Sequence, residues 1–247
     1  GVRKLAIDEI SIKKRHKYAT VVADAERYRV LWVTKDRKEA SLLEFYDKLG
    51  PEGCQRIEAV AMDMWKPYER ATKARCPNAL IVYDRFHVEQ GFKRVIDAVR
   101  REEYAKVTGR ERDAIKGLMY LLYTRPGNLR RKDRRRLDEA FKLNRRLFTV
   151  YMLQEELSHL WSYTYEGAAV KWFQHWYSWA IRTRIKAVKD FAKSLKAHWD
   201  GILAHCKHKI NTSFLEGMNN KIKVIKRIAF GYRDFEYFFL KIRGAFL

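Results

Sequence analysis

The chain has 247 residues, 47% of them hydrophobic, which is enough to build a large packed domain or a core with a sizeable insertion. Lys and Arg number 52 against 30 Asp and Glu, which gives a net charge of +22. This charge indicates a polyanionic partner, nucleic acid rather than membrane, and the alternative is a basic surface that is only solvated. An aromatic content of 14% excludes a disordered basic tail, and no apolar run reaches the roughly 18 residues that span a bilayer.

Residues 2–90 alternate between segments typical of strands and segments typical of helices. The order of three strands, helix, strand, helix and strand predicts a mixed sheet and an α/β architecture. Gly50 and Pro51 are expected to end the first helix, and Pro67 fits the start of the second. The predicted strands cover residues 5–12, 18–23, 28–34, 57–62 and 79–83.

From His87 to about Lys209 the strand signals disappear, and the pattern predicts helices with breaks near Gly109, Pro126-Gly127 and Gly167. The run RRKDRRR at 130–136 is either a solvated helical face or a DNA contact. A group of aromatic residues between 161 and 179 is expected to form core rather than a surface on which bases stack.

Residues 211–230 predict one amphipathic helix, and 233–246 a last helix. The stripe expected to be buried is Leu215, Met218, Ile222, Ile225 and Ala229. At about 100° per residue, the opposite face suits a metal ion beside a phosphate chain, since it carries Glu216, Asn219, Asn220, Lys223 and Arg227. Glu216 has a second interpretation, because Ser213 followed by Glu216 has the spacing of a capping box.

Acidic residues interrupt or end the strongest strand signals. Asp8 lies inside the first predicted strand, Asp63 closes the fourth and Asp84 closes the fifth. A single Asp at a strand end is usually a turn former or a helix cap, but several of them, together with Glu216, suggest a shared site. Ligands that are all oxygen select Mg²⁺ or Mn²⁺, and two such ions can activate an attacking oxygen and stabilise the leaving one in a phosphodiester.

Four segments resemble the catalytic region of bacterial insertion-sequence transposases of the ISL-three family: LAIDEISIKKRHKYATVV, VAMDMWKPY, LIVYDRFHV and LEGMNNKIKVIKR. The resemblance implies a DDE enzyme with an RNase H-like fold, in which the three family acids fall on Asp8, Asp63 and Glu216. In such a sheet the fourth strand lies beside the first, so Asp63 is expected to face Asp8 across adjacent strands whose axes are about 5 Å apart. Asp84 is then expected to be structural or to support the metal ligands.

The 153 residues between Asp63 and Glu216 are too many for a loop, so the resemblance implies a helical insertion before the catalytic helix. We therefore predict an RNase H-like mixed five-stranded sheet with flanking helices, made from residues 1–90 and 207–247 and interrupted by a large all-helical insertion at 91–206. The family also carries an upstream zinc-binding and helix-turn-helix portion. Because this chain opens at Gly1 without Met, we expect it to be a fragment that lacks that portion.

The function implied is a metal-dependent transposase. It would hydrolyse a phosphodiester at the transposon end and join the freed 3′-hydroxyl to target DNA, using two Mg²⁺ or Mn²⁺ ions and double-stranded DNA, as a homodimer by family analogy. The expected DNA contacts are Lys223, Arg227, Asn219, Asn220 and Trp65, the last either stacking on a flipped base or packing locally. Two alternatives remain open: an RNase H-like nuclease without strand transfer, and a DNA-binding protein without catalysis.

The cysteines and histidines indicate no zinc site. Cys54, Cys76 and Cys206 have no C-x-x-C spacing and are expected to be buried or idle thiols of a reducing compartment such as the bacterial cytoplasm. The segment HCKH at 205–208 matches no common zinc finger, and no second pair follows it.

Overall fold

The structure is a computed structural model that describes residues 1–13 and 17–246. Residues 14–16, which belong to the first family-like segment, and residue 247 lie outside the described part. The chain divides into two compact units, Gly1–Asp84 with Asp200–Leu247, and Arg85–Trp199. The first unit is thus built from both ends of the chain. The predicted domain limits, at 90 and 207, differ by a few residues from these and stay a prediction.

The first unit contains a mixed sheet. Its strands are β1 Lys4–Lys13, β2 Lys17–Asp24, β3 Arg29–Lys35, β4 Ala59–Met62 and β5 Leu80–Tyr83. Within the described residues these five strands have the order β3-β2-β1-β4-β5. β1 pairs antiparallel with β2 and parallel with β4, and β5 continues the parallel half. All of β4 is buried, as expected of a central parallel strand covered on both faces. The predicted mixed α/β sheet is confirmed.

The helices of the described residues agree with the predicted order. The helices are α1 Glu39–Gln55, α2 Lys66–Arg75, α3 Arg85–Lys106, α4 Gly109–Ile115, α5 Met119–Tyr123, α6 Arg131–Leu143, α7 Arg145–His159, α8 Glu166–Arg182, α9 Lys186–Ala197, α10 Trp199–Leu203, α11 Ser213–Ile228 and α12 Phe235–Ala245. Short 3₁₀ turns lie at Pro126–Asn128, Leu160–Ser162 and Ala204–Cys206. The predicted stop at Gly50 is a kink, because its φ of 75° interrupts α1 and the helix resumes after it.

α11 and α12 pack on one face of the sheet. Leu215, Met218 and Ile222 of α11 are buried against a cluster that contains Ala6 and Ile10 of β1. The predicted apolar stripe of α11 is therefore present over its first three turns. Ile225 is only half-buried and Ala229 is exposed, because the helix ends at Ile228. The order of burial along α11 fixes which of its sides lies against β1.

On the opposite side of the sheet, tyrosine and threonine hydroxyl groups form two buried pairs. The hydroxyl groups of Thr20 and Tyr68 are 2.7 Å apart, and those of Tyr46 and Thr72 are 2.8 Å apart. Burial raises the pKa of Tyr46 and of Tyr68 well above the ordinary value, so both hydroxyl groups stay protonated. These pairs satisfy the hydrogen bonding of buried hydroxyl groups. The row of acids described below lies on the other face of the sheet.

The second unit is helical over its described length. Trp176 is buried and donates its indole N–H to the backbone oxygen of Leu153 at 3.0 Å, while Trp161 and Phe173 are also buried. These rings lie in the interior, as the sequence predicts, although Tyr165 is 74% exposed. The arginines at the start of α6 are exposed. No helix in the described ranges is both long and apolar enough to cross a membrane.

Candidate active site

Asp8 and Asp63 lie at the same level of two adjacent parallel strands. Ala6 of β1 is paired with Ala61 of β4, and each aspartate follows its alanine by two residues. Side chains two residues apart along a strand point to the same face, so both carboxylates project toward the face covered by α11. Neighbouring strands are about 4.8 Å apart, which makes these two acids direct neighbours.

Asp84 extends this row by one strand. Met62 of β4 is paired with Tyr83 of β5, so Asp84 follows at the level of Asp63. Its backbone N–H donates to the oxygen of Met62 at 2.9 Å, which continues the ladder beyond both strands. Asp84 is therefore about two strand spacings, or roughly 10 Å, from Asp8. Asp8 within β1, Asp63 after β4 and Asp84 after β5 form a row of three carboxylates.

The backbone orients the first two acids of the row. The Glu9 N–H donates to Asp8 Oδ1 at 2.8 Å, and the Met64 N–H donates to Asp63 Oδ1 at 2.6 Å. Both carboxylates are half-buried. Bonds of this kind restrict a carboxylate to few rotamers.

Two side-chain contacts tie α11 to opposite ends of the row. Thr212, just before the helix, donates its hydroxyl to Asp84 Oδ1 at 2.7 Å, and Asn219 Nδ2 donates to Asp8 Oδ2 at 2.6 Å. The seven residues from Thr212 to Asn219 advance about 10 Å along a helix axis, which equals two strand spacings. The first two turns of α11 therefore cross the end of β5, the end of β4 and the middle of β1 in that order.

Glu216 lies between these two anchors. It follows Thr212 by four residues and precedes Asn219 by three, and at about 100° per residue all three fall within roughly 60° on one helix face. This spacing sets Glu216 at the level of β4, which ends in Asp63. Its side chain is exposed. The described residues hold no group of three His, Cys, Asp or Glu that could bind a metal ion, so the three acids are not closed into one cluster here.

The capping-box interpretation of Ser213 and Glu216 is wrong. Ser213 is the first helical residue, and the N-cap position belongs to Thr212, without a side-chain cap bond. The Ser213 N–H is instead satisfied by Asn211 Oδ1 at 3.0 Å. The Thr212 hydroxyl is committed to Asp84, which fixes the helix start one residue earlier than the capping pattern implies. Glu216 is thereby left to the solvent side of the row.

The predicted DNA contacts divide into two groups. Asn220, Lys223 and Arg227 are exposed on α11, where their spacing aligns them with Glu216. Asn219 differs from them because it is half-buried and its amide is bonded to Asp8. Nothing in the local sequence distinguishes Asn219 from Asn220, and only the pairing across 211 residues reveals its role.

Trp65 follows Asp63 closely, but its ring is held by local contacts. The indole N–H donates to the backbone oxygen of Arg37 at 2.9 Å, and the Arg37 guanidinium lies 4.8 Å from the ring centroid. Arg37 also lies 4.6 Å from the Tyr18 ring and pairs with Glu9 at 3.0 Å. Trp65 remains 36% exposed. The sequence did not predict this cluster around Arg37, which joins the segments that follow Asp8 and Asp63.

The donor set fits a hard divalent cation. Asp8 and Asp63 present carboxylate oxygens side by side, and Mg²⁺ is commonly held by one or two carboxylates while it keeps several waters. Hard oxygen donors without thiolate or imidazole select Mg²⁺ or Mn²⁺ over zinc. Glu216 lies at the correct level of the row to add a third carboxylate. These residues therefore suit the metal ions expected from the sequence.

Comparisons with known proteins place the chain among transposases. Residues 5–242 match the transposase family model DDE_Tnp_ISL3. The chain is 46% identical over 249 residues to the transposase for insertion sequence element IS1001 of Bordetella parapertussis, covering 99% of this chain and 61% of that protein. It is 32% identical over 257 residues to the transposase for insertion sequence element IS1557 of Mycobacterium tuberculosis, covering 95% of this chain and 58% of that protein.

The chain thus spans about three-fifths of the length of these curated relatives. The family match nevertheless covers both compact units, including the row of acids and α11. The sheet order and the flanking helices agree with the RNase H-like fold of DDE enzymes. The chain belongs to the ISL3 (ISL-three) family of DDE transposases.

Proposed function

We propose that this chain is the catalytic part of a transposase that cleaves DNA at the ends of an insertion sequence and joins them to a target. The observation that carries the proposal is the alignment of Asp8, within β1, with Asp63, which follows the end of the adjacent parallel strand β4, and with Glu216 brought over them by α11. Ligand sites in open α/β sheets favour this edge. The family membership supports the same reaction class.

Asp8 and Asp63 would hold Mg²⁺ or Mn²⁺, and Glu216 would complete the set for a second ion. Such ions supply activation of the attacking oxygen and stabilisation of the leaving oxygen when they are bound. In the first reaction water attacks the scissile phosphorus and the 3′-oxygen leaves as a hydroxyl. In the second that hydroxyl attacks a phosphorus of the target and displaces its 3′-oxygen.

Asn219 and Asp84 act as positioning residues in this proposal. Asn219 holds the Asp8 carboxylate through its amide, so we assign it to orientation of the acid rather than to DNA. Asp84 fixes the start of α11 through Thr212 and in that way sets the level of Glu216. Neither residue needs to touch the reacting phosphate. Partners of this kind commonly affect metal affinity as strongly as some ligands do.

The DNA is proposed to run along the exposed face of α11. Lys223 and Arg227 follow Glu216 by seven and eleven residues, which places their charges on the same stripe. Asn220 would add an uncharged contact to the DNA on the same helix face. Trp65, two residues after Asp63, would contact the DNA on the other side of that acid. The net charge of +22 favours this partner over a neutral one. Each phosphate contact should add about 0.9 to the salt dependence of duplex binding.

Mg²⁺-dependent nicking of supercoiled plasmid DNA tests the catalytic assignment. We expect Asp8→Ala, Asp63→Ala and Glu216→Ala each to abolish nicking while circular dichroism and DNA binding in EDTA stay unchanged. Asp47→Ala, an exposed acid that pairs with Arg75, is the matched control and should keep full activity. Undiminished nicking by Asp63→Ala would show that this row of acids is not the active site.

A strand-transfer assay with pre-cleaved ends separates the transposase from a nuclease of the same fold. Only a transposase joins the 3′-hydroxyl of a supplied oligonucleotide to a target plasmid. Joined product that depends on Mg²⁺ and on Glu216 supports the proposal. Nicking without any joined product contradicts it. Sedimentation of the protein–DNA complex tests the proposed homodimer in the same samples.

A further inference from the structure

The end of α11 has a backbone conformation that is unusual for the residue it carries. The Gly231 N–H bonds to the Lys226 oxygen at 2.9 Å and the Phe230 N–H to the Arg227 oxygen at 3.0 Å, which is the pattern of a Schellman motif. In that motif the residue after the C-cap takes a left-handed conformation and is usually glycine. Here it is Phe230, with a φ of 51°. A side chain at this angle costs stability that glycine would not.

Nothing in the fold compensates Phe230 for this cost. Its side chain is fully exposed, at 102% of the reference area, so it gains no burial within the described residues. A large aromatic residue that is both strained and unburied is an outlier of the kind that clusters at binding sites. Among the described residues, burial of the Phe230 side chain does not offset this strain.

Phe230 is one of the residues that line an open cavity of about 510 Å³ between the end of α11 and α12. The apolar part of the lining includes Ile12 and the buried ring of Phe238. Tyr232 is held in the wall by stacking on Phe238, with ring centroids 4.6 Å apart. The cavity is large enough for a nucleobase, which occupies only part of this volume, and its aromatic side chains could stack on such a ring.

The rim of the cavity is positively charged. Lys226 and Arg233 contribute to its lining, and Lys223 and Arg227 are exposed on the helix that leads to it. From Glu216 to Phe230 the helix advances about 20 Å, which corresponds to roughly six nucleotides of a strand that keeps the 3.4 Å rise of B-form DNA. Cations that follow a phosphate backbone, ending at an exposed aromatic ring, are the elements of a single-strand binding groove.

We propose that the cavity at the end of α11 binds an unpaired base of a DNA strand, which stacks on Phe230 about six nucleotides from the scissile phosphate. Lys226 and Arg233 contact the phosphates beside that base. The choice of DNA as the ligand rests on the proposed function. Charge complementarity favours a nucleic acid over an apolar protein segment as the occupant, because cations line the cavity beside its rings.

The test measures binding of the full chain to a 20-nucleotide single strand with one 2-aminopurine, in EDTA, against a fully paired duplex of the same length. Phe230→Gly should weaken single-strand binding about 5- to 150-fold at fixed salt and should abolish the quenching of 2-aminopurine. The salt dependence should stay unchanged, because no charge is removed. Phe230→Trp should retain both signals, and Ile228→Ala, which removes an apolar side chain that is 74% exposed, should alter neither.

Two further measurements separate stacking from a structural role. Phe230→Gly should melt at the same temperature as the wild type or higher, since glycine relieves the strain of the Schellman motif. Lys226→Gln and Arg233→Gln should each reduce the salt slope of single-strand binding by about 0.7. If Phe230 only packed within the fold, its replacement by glycine would lower the melting temperature. Loss of base binding with an unchanged or raised melting temperature therefore indicates stacking on DNA.

Three results overturn the inference: unchanged single-strand affinity in Phe230→Gly, a clear fall in its melting temperature, or a change in self-association in place of DNA binding. The last result would assign the surface to a second copy of the chain. Because EDTA prevents cleavage, failure of the catalytic assignment does not affect these measurements. A chain that binds single strands through Phe230 but never nicks DNA would contradict the proposed function and leave this site in place.

Discussion

Asn219 donates its side-chain amide to Asp8 Oδ2 at 2.6 Å, although 211 residues separate the two in sequence. This bond connects the middle of α11 to the strand at the centre of the sheet. With the bond from Thr212 to Asp84 at 2.7 Å, it fixes both the direction and the level of the helix that carries Glu216. The proposed active site therefore depends on two neutral side chains, Thr212 and Asn219, which position α11 and its Glu216 relative to Asp8 and Asp63.

We predict that Asn219→Ala weakens divalent-metal binding and Mg²⁺-dependent nicking by about 10- to 100-fold, the range typical of residues that orient a metal ligand. Without the amide, Asp8 gains rotamers that point away from Asp63. Isothermal titration with Mn²⁺ measures the affinity directly. Gly217→Ala is the control on the same helix, because a Cβ there meets nothing within 4 Å. Wild-type metal affinity in a folded Asn219→Ala chain would contradict this role.

We predict that Thr212→Val destabilises the first unit by about 1–3 kcal/mol, since it removes a hydrogen bond to a charged group without changing side-chain size. Thr212→Ser keeps the hydroxyl and should stay close to wild type. Urea unfolding of Thr212→Val, Asp84→Asn and the double variant gives the coupling of the pair. Strictly additive effects would mean that the 2.7 Å contact contributes no coupling energy.

Gly201 in α10 approaches Tyr83 so closely that no Cβ fits. A Cβ on Gly201 would lie 2.5 Å from Tyr83 Cε2 and 3.2 Å from the Ile81 oxygen. We expect Gly201→Ala to destabilise the chain by about 1–3 kcal/mol, because overpacking outweighs the roughly 1 kcal/mol by which alanine favours a helix. Gly217→Ala should be neutral or stabilising in the same urea titration. Equal effects of the two variants would show that the contact with Tyr83 relaxes freely.

The acids of the proposed site could be predicted from sequence, but their hydrogen-bond partners could not. Apolar runs that end in Asp63 and Asp84 mark strand ends, because a carboxylate in a buried strand is costly unless it is paired or binds a metal. That Asp63 rather than Asp84 lies beside Asp8 came from the family fold, and the strand order confirms that adjacency. The bonds from Asn219 and Thr212 join segments 211 and 128 residues apart, and no local pattern records such distances.

The ends of α11 show where local patterns mislead. Ser213 and Glu216 have capping-box spacing, yet the tertiary bond of Thr212 to Asp84 starts the helix at Ser213 itself. At the other end the apolar period continues to residue 230, while the helix stops at Ile228. Gly231 is the only local signal of that stop, because phenylalanine at 230 is not a residue that the Schellman motif favours.

Asp24 makes the stability of the sheet depend on pH. Its side chain is 0% exposed, and burial alone raises its pKa, but hydrogen bonds from the backbone N–H groups of Glu26 and Arg27 and from the Arg27 guanidinium outweigh burial and lower the pKa below its usual value. A lowered pKa in the folded state stabilises the fold above the unfolded pKa of about 3.9, and this stabilisation is lost as the pH falls through the folded value.

We therefore expect Asp24→Asn to unfold at lower urea than wild type at pH 7, by about 1–3 kcal/mol, and the difference to shrink as the pH falls below about 4. Protonation then removes from the wild type the same charge that the variant lacks. Glu26→Gln is the control, because Glu26 is exposed and its carboxylate pairs only with Lys4 at 3.4 Å among the described residues. A gap between Asp24→Asn and wild type that stays constant from pH 7 to pH 3 would mean that shape, not charge, holds the turn between β2 and β3.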